Sequence, residues 1–340
     1  MARLSSTKGS KRHLRLMIET LKQLKGDFVV LDLGSAHTES MLKGFPGLVG
    51  AVTLIEVDPL LGSGSGATAS ANKICLKKAV AGTRGKRLFK QRQFPDCSSF
   101  LDANRKLVEA YGLQKHFVEV SRVELECETI SELLGRHGIT RVDFFKTDLE
   151  GVDFEVLSSA PALVKQALCL QCELRFQPFF EGEPAFHEVT GYLYNHGHEI
   201  VSLRTATWKY NTSNRNLQRD GRTVWADAIF FLSPEKVRER FGASAWKAFA
   251  KQIILARVLC LDNFAEHLYE EASSQFPDAI CRELGDFVQP PFSLARLLVA
   301  GLKRLPLGWG VLEVGRRLSR YGYKTTALYK EPILGVPDLL

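Results

Sequence analysis

Short apolar runs, most of them ending in acids and each followed by a helical stretch, constrain this chain more than any other feature. Four stand out: "DFVVLDLG" (27–34), "AVTLIEVDP" (51–59), "RVDFFKTDLEG" (141–151) and "ALCLQCELRF" (167–176). Each is apolar on both faces, as a strand covered by helices on both sides must be. Helical patterns fall at 67–80, 101–112, 152–164 and near 183–196. Another lies at 128–138, where Thr129 or Ser131 can open the helix. Segments 87–94 and 116–125 read as further strands. Such alternation over about 200 residues predicts a parallel sheet wound on both sides. Segments 199–208 and 224–232, around a long polar loop, predict an antiparallel ending. From Pro234 the strand signal stops and the chain turns helical. Three regions follow: a basic amphipathic helix within 1–26, with Leu14, Met17, Leu21 and Leu24 on one stripe; an α/β domain over 27–233; and a mainly helical extension over 234–340.

Composition excludes several classes. With 45% hydrophobic residues, the chain is neither collagen-like nor globally disordered. Its net charge is +7, but residues 1–25 carry +6 of it, leaving 38 bases against 37 acids elsewhere. The body is therefore nearly neutral, and no specific nucleic-acid partner is expected. Seven cysteines lack framework spacing, and the C-x-x-C at Cys169 and Cys172 lies in a strand, so reduced core thiols are expected. His187, His196 and His198 read as surface helix and turn residues. No His/Asp cluster has metal-ligand spacing, so no metal is expected. The start shows no apolar signal region, and the longest apolar stretch, 292–302, is far short of a bilayer span. A soluble, cytoplasmic protein is expected.

In an open parallel sheet, ligands bind at the carboxyl ends of the strands. Here three ends carry acids with Gly or Pro: Asp32-Leu-Gly34, Glu56-Val-Asp58-Pro59 and Asp148-Leu-Glu150-Gly151. Gly34 permits a tight turn against a ligand, and Glu56 is placed to accept both hydroxyls of a ribose. Carboxylates of this kind also cap helices, but three such ends favour a nucleoside-type ligand. After Gly34 come Ser35, Ala36, His37 and Thr38, without the glycines a pyrophosphate needs. That points to a phosphate-free ligand such as S-adenosylmethionine. "GSGSGA" (62–67) fits G-x-G-x-x-A, but no acid follows between residues 60 and 95 to hold a ribose, which disfavours NAD(P).

"VVLDLGSAHTES", "VTLIEVDP", "AVAGTRGKRLFKQRQFPDCSSF", "ETISELL", "RVDFFKTDLEGVDFEVLSSA" and "LCLQCELRF" occur in the order and spacing of the FkbM methyltransferases. The chain resembles that family over about residues 28–233. The most specific segment is K-x-D-x-E-G-x-x-x-x-V-L, here Lys146, Asp148, Glu150, Gly151, Val156 and Leu157. The Ser98-Ser99 pair comes next. The chain departs from the family pattern at Ala36-His37-Thr38, where Asn-x-Gly is usual, and at Ser131, where Asp is usual.

The resemblance implies an α/β, Rossmann-like, doubly wound seven-stranded methyltransferase sheet with the last strand antiparallel. It implies an O-methyltransferase using S-adenosyl-L-methionine on a hydroxyl of a sugar, glycan or secondary metabolite. Asp148 and Glu150 are the candidate bases. Asp32, Gly34, Ser35, His37, Glu56, Asp58, Ser98 and Ser99 are the candidate cofactor residues. Glu173 is expected to shape the acceptor pocket. The polar loop 205–223 is expected over the pocket mouth, offering Trp208 and Tyr210 as flat faces and Arg215 as a donor to a small-molecule or glycan acceptor. A non-catalytic scaffold keeping the fold is the alternative that the altered first motif raises.

Overall fold

The computed structural model describes Thr20 and residues 28–34, 52–59, 73–212 and 221–288. Its strands in chain order are β1 (Val29–Leu33), β2 (Thr53–Val57), β3 (Lys73–Leu76), β4 (Ala79–Val80), β5 (Gly85–Arg92), β6 (Glu119–Glu128), β7 (Phe144–Thr147), β8 (Cys169–Arg175), β9 (His198–Trp208) and β10 (Arg222–Leu232). Seven of them form one sheet in the order β3-β2-β1-β7-β8-β10-β9. Neighbours from β3 to β8 run parallel, while β10 is antiparallel to both β8 and β9. The expected seven-stranded sheet with its last strand reversed is what the chain forms. Strand order turns back between β1 and β7, which puts Asp32 in register with both Glu56 and Lys146.

Two expectations change. Segment 67–80 reads as a helix, yet its described part forms β3 and β4. The outer edge of β2 needs a partner, and Ile55 and Val57 pair with Ile74 and Leu76, which alternate onto the core as strand residues do. Segments 87–94 and 116–125 do not join the main sheet. They pair antiparallel as β5 and β6 and, with β4, form a separate three-stranded sheet in the order β4-β6-β5. That small sheet is fastened to the main body by Glu155. Its carboxylate accepts from the Gly82 amide at 2.8 Å and the Arg87 guanidinium at 2.7 Å.

The helices are α1 (Arg105–Ala110), α2 (Ile130–Arg136), α3 (Asp153–Ser159), α4 (Pro161–Gln166), α5 (Phe186–Asn195), α6 (Pro234–Phe241), α7 (Ala245–Val258), α8 (Asp262–Ala272) and α9 (Asp278–Val288). Thr129 caps α2 in a capping box with Glu132. On one face of the sheet, Leu31, Ile55, Phe145 and Leu170 pack with Leu133, Val156, Val164 and Val189 from α2 to α5. On the other, Val30, Leu54, Phe144 and Phe231 pack with Phe249, Ile253, Leu268 and Leu284 from α7 to α9. The helices beyond residue 233 are thus the second layer over the sheet, sharing its core. No helix among the described residues is long and apolar enough to cross a membrane.

Polar contacts fix that layer. Lys251 on α7 donates to Asp143 at 2.8 Å, and the other oxygen of Asp143 accepts from the Val29 amide at 2.8 Å. Gln252 donates to the carbonyls of Leu168 and Leu232. His198, read from sequence as a surface residue, is buried and bonded to the Ala167 carbonyl, and burial lowers its pKa to about 4. Cys169 and Cys172 are free and buried as expected, and burial pushes both thiols well up. The expected N-terminal helix lies outside the described residues apart from Thr20, which is helical and donates to Glu283 at 3.1 Å. The glycine-rich 62–67 and the segment beyond 288 also lie outside them. Lys251→Ala removes the nearest cation from the buried Asp143 carboxylate, leaving only Arg141 at 3.9 Å among the described residues, so stability should fall by about 3 kcal/mol in urea denaturation.

Candidate functional site

The strand-order reversal brings β1 and β7 side by side, and glycine closes the gap. Gly34 has φ +80°, and a Cβ there would stand 1.9 Å from the Asp148 carbonyl oxygen. Only glycine fits a left-handed turn pressed on another backbone. Beneath it, Lys146 donates to Asp32 at 3.0 Å and lies 3.6 Å from Asp148. Burial raises the Asp32 pKa against the pull of Lys146. Burial alone would lower Lys146, but Asp32 and Asp148 hold it above its ordinary value.

The loop after β7 is held in a strained shape. Glu150 has φ 49°, which non-glycine residues rarely adopt, and Gly151 follows at φ 97°. Ser99 donates its hydroxyl to the Glu150 carbonyl at 2.6 Å, and Asp153 accepts from the Leu149 amide at 3.1 Å. A Cβ on Gly151 would come within 3.0 Å of Leu101 and Phe180. The Glu150 side chain meets Arg175 at 2.9 Å. Arg175 also reaches Glu173 at 2.5 Å and Glu183 at 2.8 Å. Burial raises the pKa of Glu150 and of Glu173 well above the ordinary glutamate range, and Arg175 opposes both shifts.

A cavity of about 660 Å³ opens between these strand ends and the small sheet. That volume is typical of a small-molecule site. Gly34, Asp58, Asp148, Glu150, Glu173 and Asp227 line it from the main sheet, and Phe89, Gln91 and Val120 from the small one. Arg92 contributes to the roof, donating to the carbonyls of Cys97 at 2.6 Å and Leu101 at 2.7 Å and so shaping the turn that carries Ser98. Asp148, Glu150 and Glu173 each offer an oxygen within 4.8 Å of the others. Sequence spacing gave no metal cluster, because these acids come from two strands and meet only in the fold. They are the described residues best disposed to face a cation.

Six of the expected site residues line the cavity: Gly34, Asp58, Ser98, Asp148, Glu150 and Glu173. Ser35, His37 and Arg215 lie outside the described residues. Asp32, Glu56 and Ser99 stand beside the cavity with their side chains engaged. Glu56 is ion-paired with Lys73 at 2.9 Å and accepts from the Cys75 thiol at 3.6 Å, both from the strand that reads as a helix. Asp227 and Trp225 were missed. Asp227 is in register with Glu173, and its pKa is raised by burial and by Asp148 against the pull of Arg204. An acid within the apolar "VWADAIFFL" was the available signal.

Trp208 and Tyr210 stand apart from these residues. Neither lines the cavity. Tyr210 stacks on Tyr111 at 4.7 Å and accepts from Arg222 at 2.9 Å, while Trp208 sets its edge against Tyr111 and Phe179. Trp208 is the last residue of β9, as the 199–208 reading has it, and its half-buried ring packs on the Tyr111 and Phe179 cluster. The Asn211 amide, donating to the Ala110 carbonyl at 2.8 Å, pins the start of the loop to α1.

Strand order 3-2-1-7-8-10-9, with a glycine turn at the order reversal and acids at the strand ends, is consistent with a Rossmann-like methyltransferase fold. Residues 50–200 match the family described as the methyltransferase FkbM domain, and over that span the chain is similar to the FkbM methyltransferases. No curated protein matches the chain. Among solved structures, methyltransferase FkbM from Methylobacillus flagellatus KT is similar at 12% identity and a TM-score of 0.32. The likeness covers 60% of this chain and 43% of that one. Trp208→Ala should unseat Tyr111 and Phe179 and cost about 3 kcal/mol of stability, read by urea denaturation. A variant as stable as its parent would return Trp208 to a solvent-facing role.

Proposed function

We propose that the chain is an S-adenosylmethionine-dependent O-methyltransferase acting on a hydroxyl of a sugar, glycan or secondary metabolite, with Glu150 as the base. The observation that carries the reading is the strand-end cavity, where the close-packed Gly34 turn and the half-buried, strained Glu150 face one space. The donor supplies an electrophilic methyl group on a positively charged sulfur. The residues suit such a cation: Asp148, Glu150, Glu173 and Asp227 make the floor acidic. Gly34 lets the backbone approach the ligand. Glu56 and Asp58 stand together at the end of β2 for the ribose hydroxyls, Asp58 lining the cavity and Glu56 paired with Lys73. Ser98 completes the wall from the roof.

The acceptor hydroxyl gives its proton to a carboxylate as its oxygen bonds to the methyl carbon, and the carbon–sulfur electron pair stays on sulfur. Holding the two reactants in line supplies most of the acceleration. Of the two candidate carboxylates, Glu150 suits the proton transfer better. Burial raises its pKa, which makes its ionised form a stronger base. Asp148 sits against Lys146, so we assign it to orientation.

Labelled S-adenosylmethionine with fractionated cell extract tests the activity and finds the acceptor. S-adenosylhomocysteine should bind the wild type and Glu150→Gln alike in calorimetry, while that variant loses about 10²–10⁴-fold in kcat. Full turnover in Glu150→Gln with an inactive Asp148→Asn would move the base to Asp148. Failure of well-folded protein to bind either donor or product would end the reading. Because the base must be ionised, turnover should rise with pH across a limb above the ordinary glutamate range and fall as pH drops through it.

A further inference from the structure

Among the described residues, Arg175 is the one cation within ion-pair distance of Glu150, Glu173 or Glu183. It lies at the end of β8, nearly out of contact with water, and packs near the Phe180 ring. Its Nη2 serves both Glu150 and Glu173, and its Nε serves Glu183. Glu183 is fixed a second way, accepting from the Phe180 amide at 3.2 Å. One positive charge thus faces three carboxyls.

We propose that Arg175 is a positioning residue that clamps Glu150 and Glu173 through one amino group, so that the two carboxyls hold a single proton between them and titrate as a pair. Its consequence for catalysis rests on the transferase reading above; the shared proton does not.

The surroundings leave little alternative charge. Asp148 just after β7, Asp153 at the start of α3, Glu183 after β8 and Asp227 on β10 all add negative charge near Glu150 or Glu173. The nearby cations have other partners: Lys146 pairs with Asp32 and lies 3.6 Å from Asp148, and Arg92 donates to two backbone carbonyls. The Cys97 thiol is neutral, pushed up to about 12 by burial and by Glu150. Two half-buried carboxyls on one nitrogen, with further acids around them, cannot both ionise cheaply, and their proton belongs to the pair. The acid limb of the activity profile then reports release of that shared proton. Afterwards Glu150 is free to take a proton from the acceptor hydroxyl.

The test pairs two readouts on the full chain. Difference infrared spectroscopy follows the carbonyl stretch of protonated carboxyls with pH in the resting protein, and a pH–rate profile follows turnover. In the wild type, a protonated-carboxyl band should persist above the ordinary glutamate range and disappear in one step with the acid limb. Glu173→Gln removes the competing carboxyl, so band and limb should move to lower pH. Arg175→Gln removes the opposing charge and should move both upward, by about 1–3 pH units in either case. Arg175→Lys keeps the charge and should hold the limb near its wild-type position. A limb unmoved by both Gln variants, or moved in one direction by both, would overturn the proposal, since a merely structural Arg175 lowers kcat without shifting it. Should Arg175→Gln not fold, the wild-type band and Glu173→Gln still decide. If the wild type transfers no methyl group, infrared decides alone: a persistent band that Glu173→Gln lowers sustains the pair and sinks only the transferase reading. Absence of the band sinks the pair.

Discussion

The hydrogen of Gly34 and the carbonyl oxygen of Asp148 meet where no side chain could fit. That contact sets how closely the ends of β1 and β7 approach, and so fixes the point where strand order reverses. Asp32 and Lys146 come into ion-pair range because of it, one register step inside the sheet. Asp148 and Glu150 are then carried forward into open space, past the last residue that the sheet can hydrogen-bond. The acidic floor is thus a by-product of strand geometry, and its charge is balanced from within by Lys146 and Arg175.

The opposite end of the sheet is fixed by the same device with other residues. Asp143 enters β7 as Lys251 and the Val29 amide hold it, and Gln252 reads the carbonyls of Leu168 and Leu232. A buried ion pair contributes little net stability, but one partner without the other is costly. Such a pair therefore specifies which helix lies on which strands. The α7 layer, which composition alone makes look like an appendage, is registered to the sheet by these polar contacts.

What could be read in the sequence divides by range. Strands β1, β2, β7 and β8 were legible because burial on both faces forces unbroken apolar runs. Helix α2 was legible from Thr129, a local capping signal. Ile74 and Leu76 were not, because their strand exists only where β2 offers an edge, while Ala and Lys around them speak locally for helix. The small sheet was hidden in the same way: alternation at 87–94 and 116–125 marks strands without saying which sheet they join. At the site, Gly34, Asp148 and Glu150 announced themselves by motif and position. Arg175 did not, since nothing in "CELRF" tells that its guanidinium collects acids from residues 150, 173 and 183. The contacts of Trp208 with Tyr111 and Phe179 were not legible either, because those rings come from distant segments.

Ser99 belongs to the roof of the cavity, and the carbonyl it bonds belongs to Glu150 on the floor. Roof and floor are riveted again where Glu155 grips Gly82 and Arg87. Lifting the small sheet therefore cannot leave the floor undisturbed: parting Ser99 from Glu150 removes a brace from a left-handed turn that only its surroundings maintain. The cover and the carboxylate below it are one mechanical part, so an opened cavity is also one whose Glu150 has lost its aim.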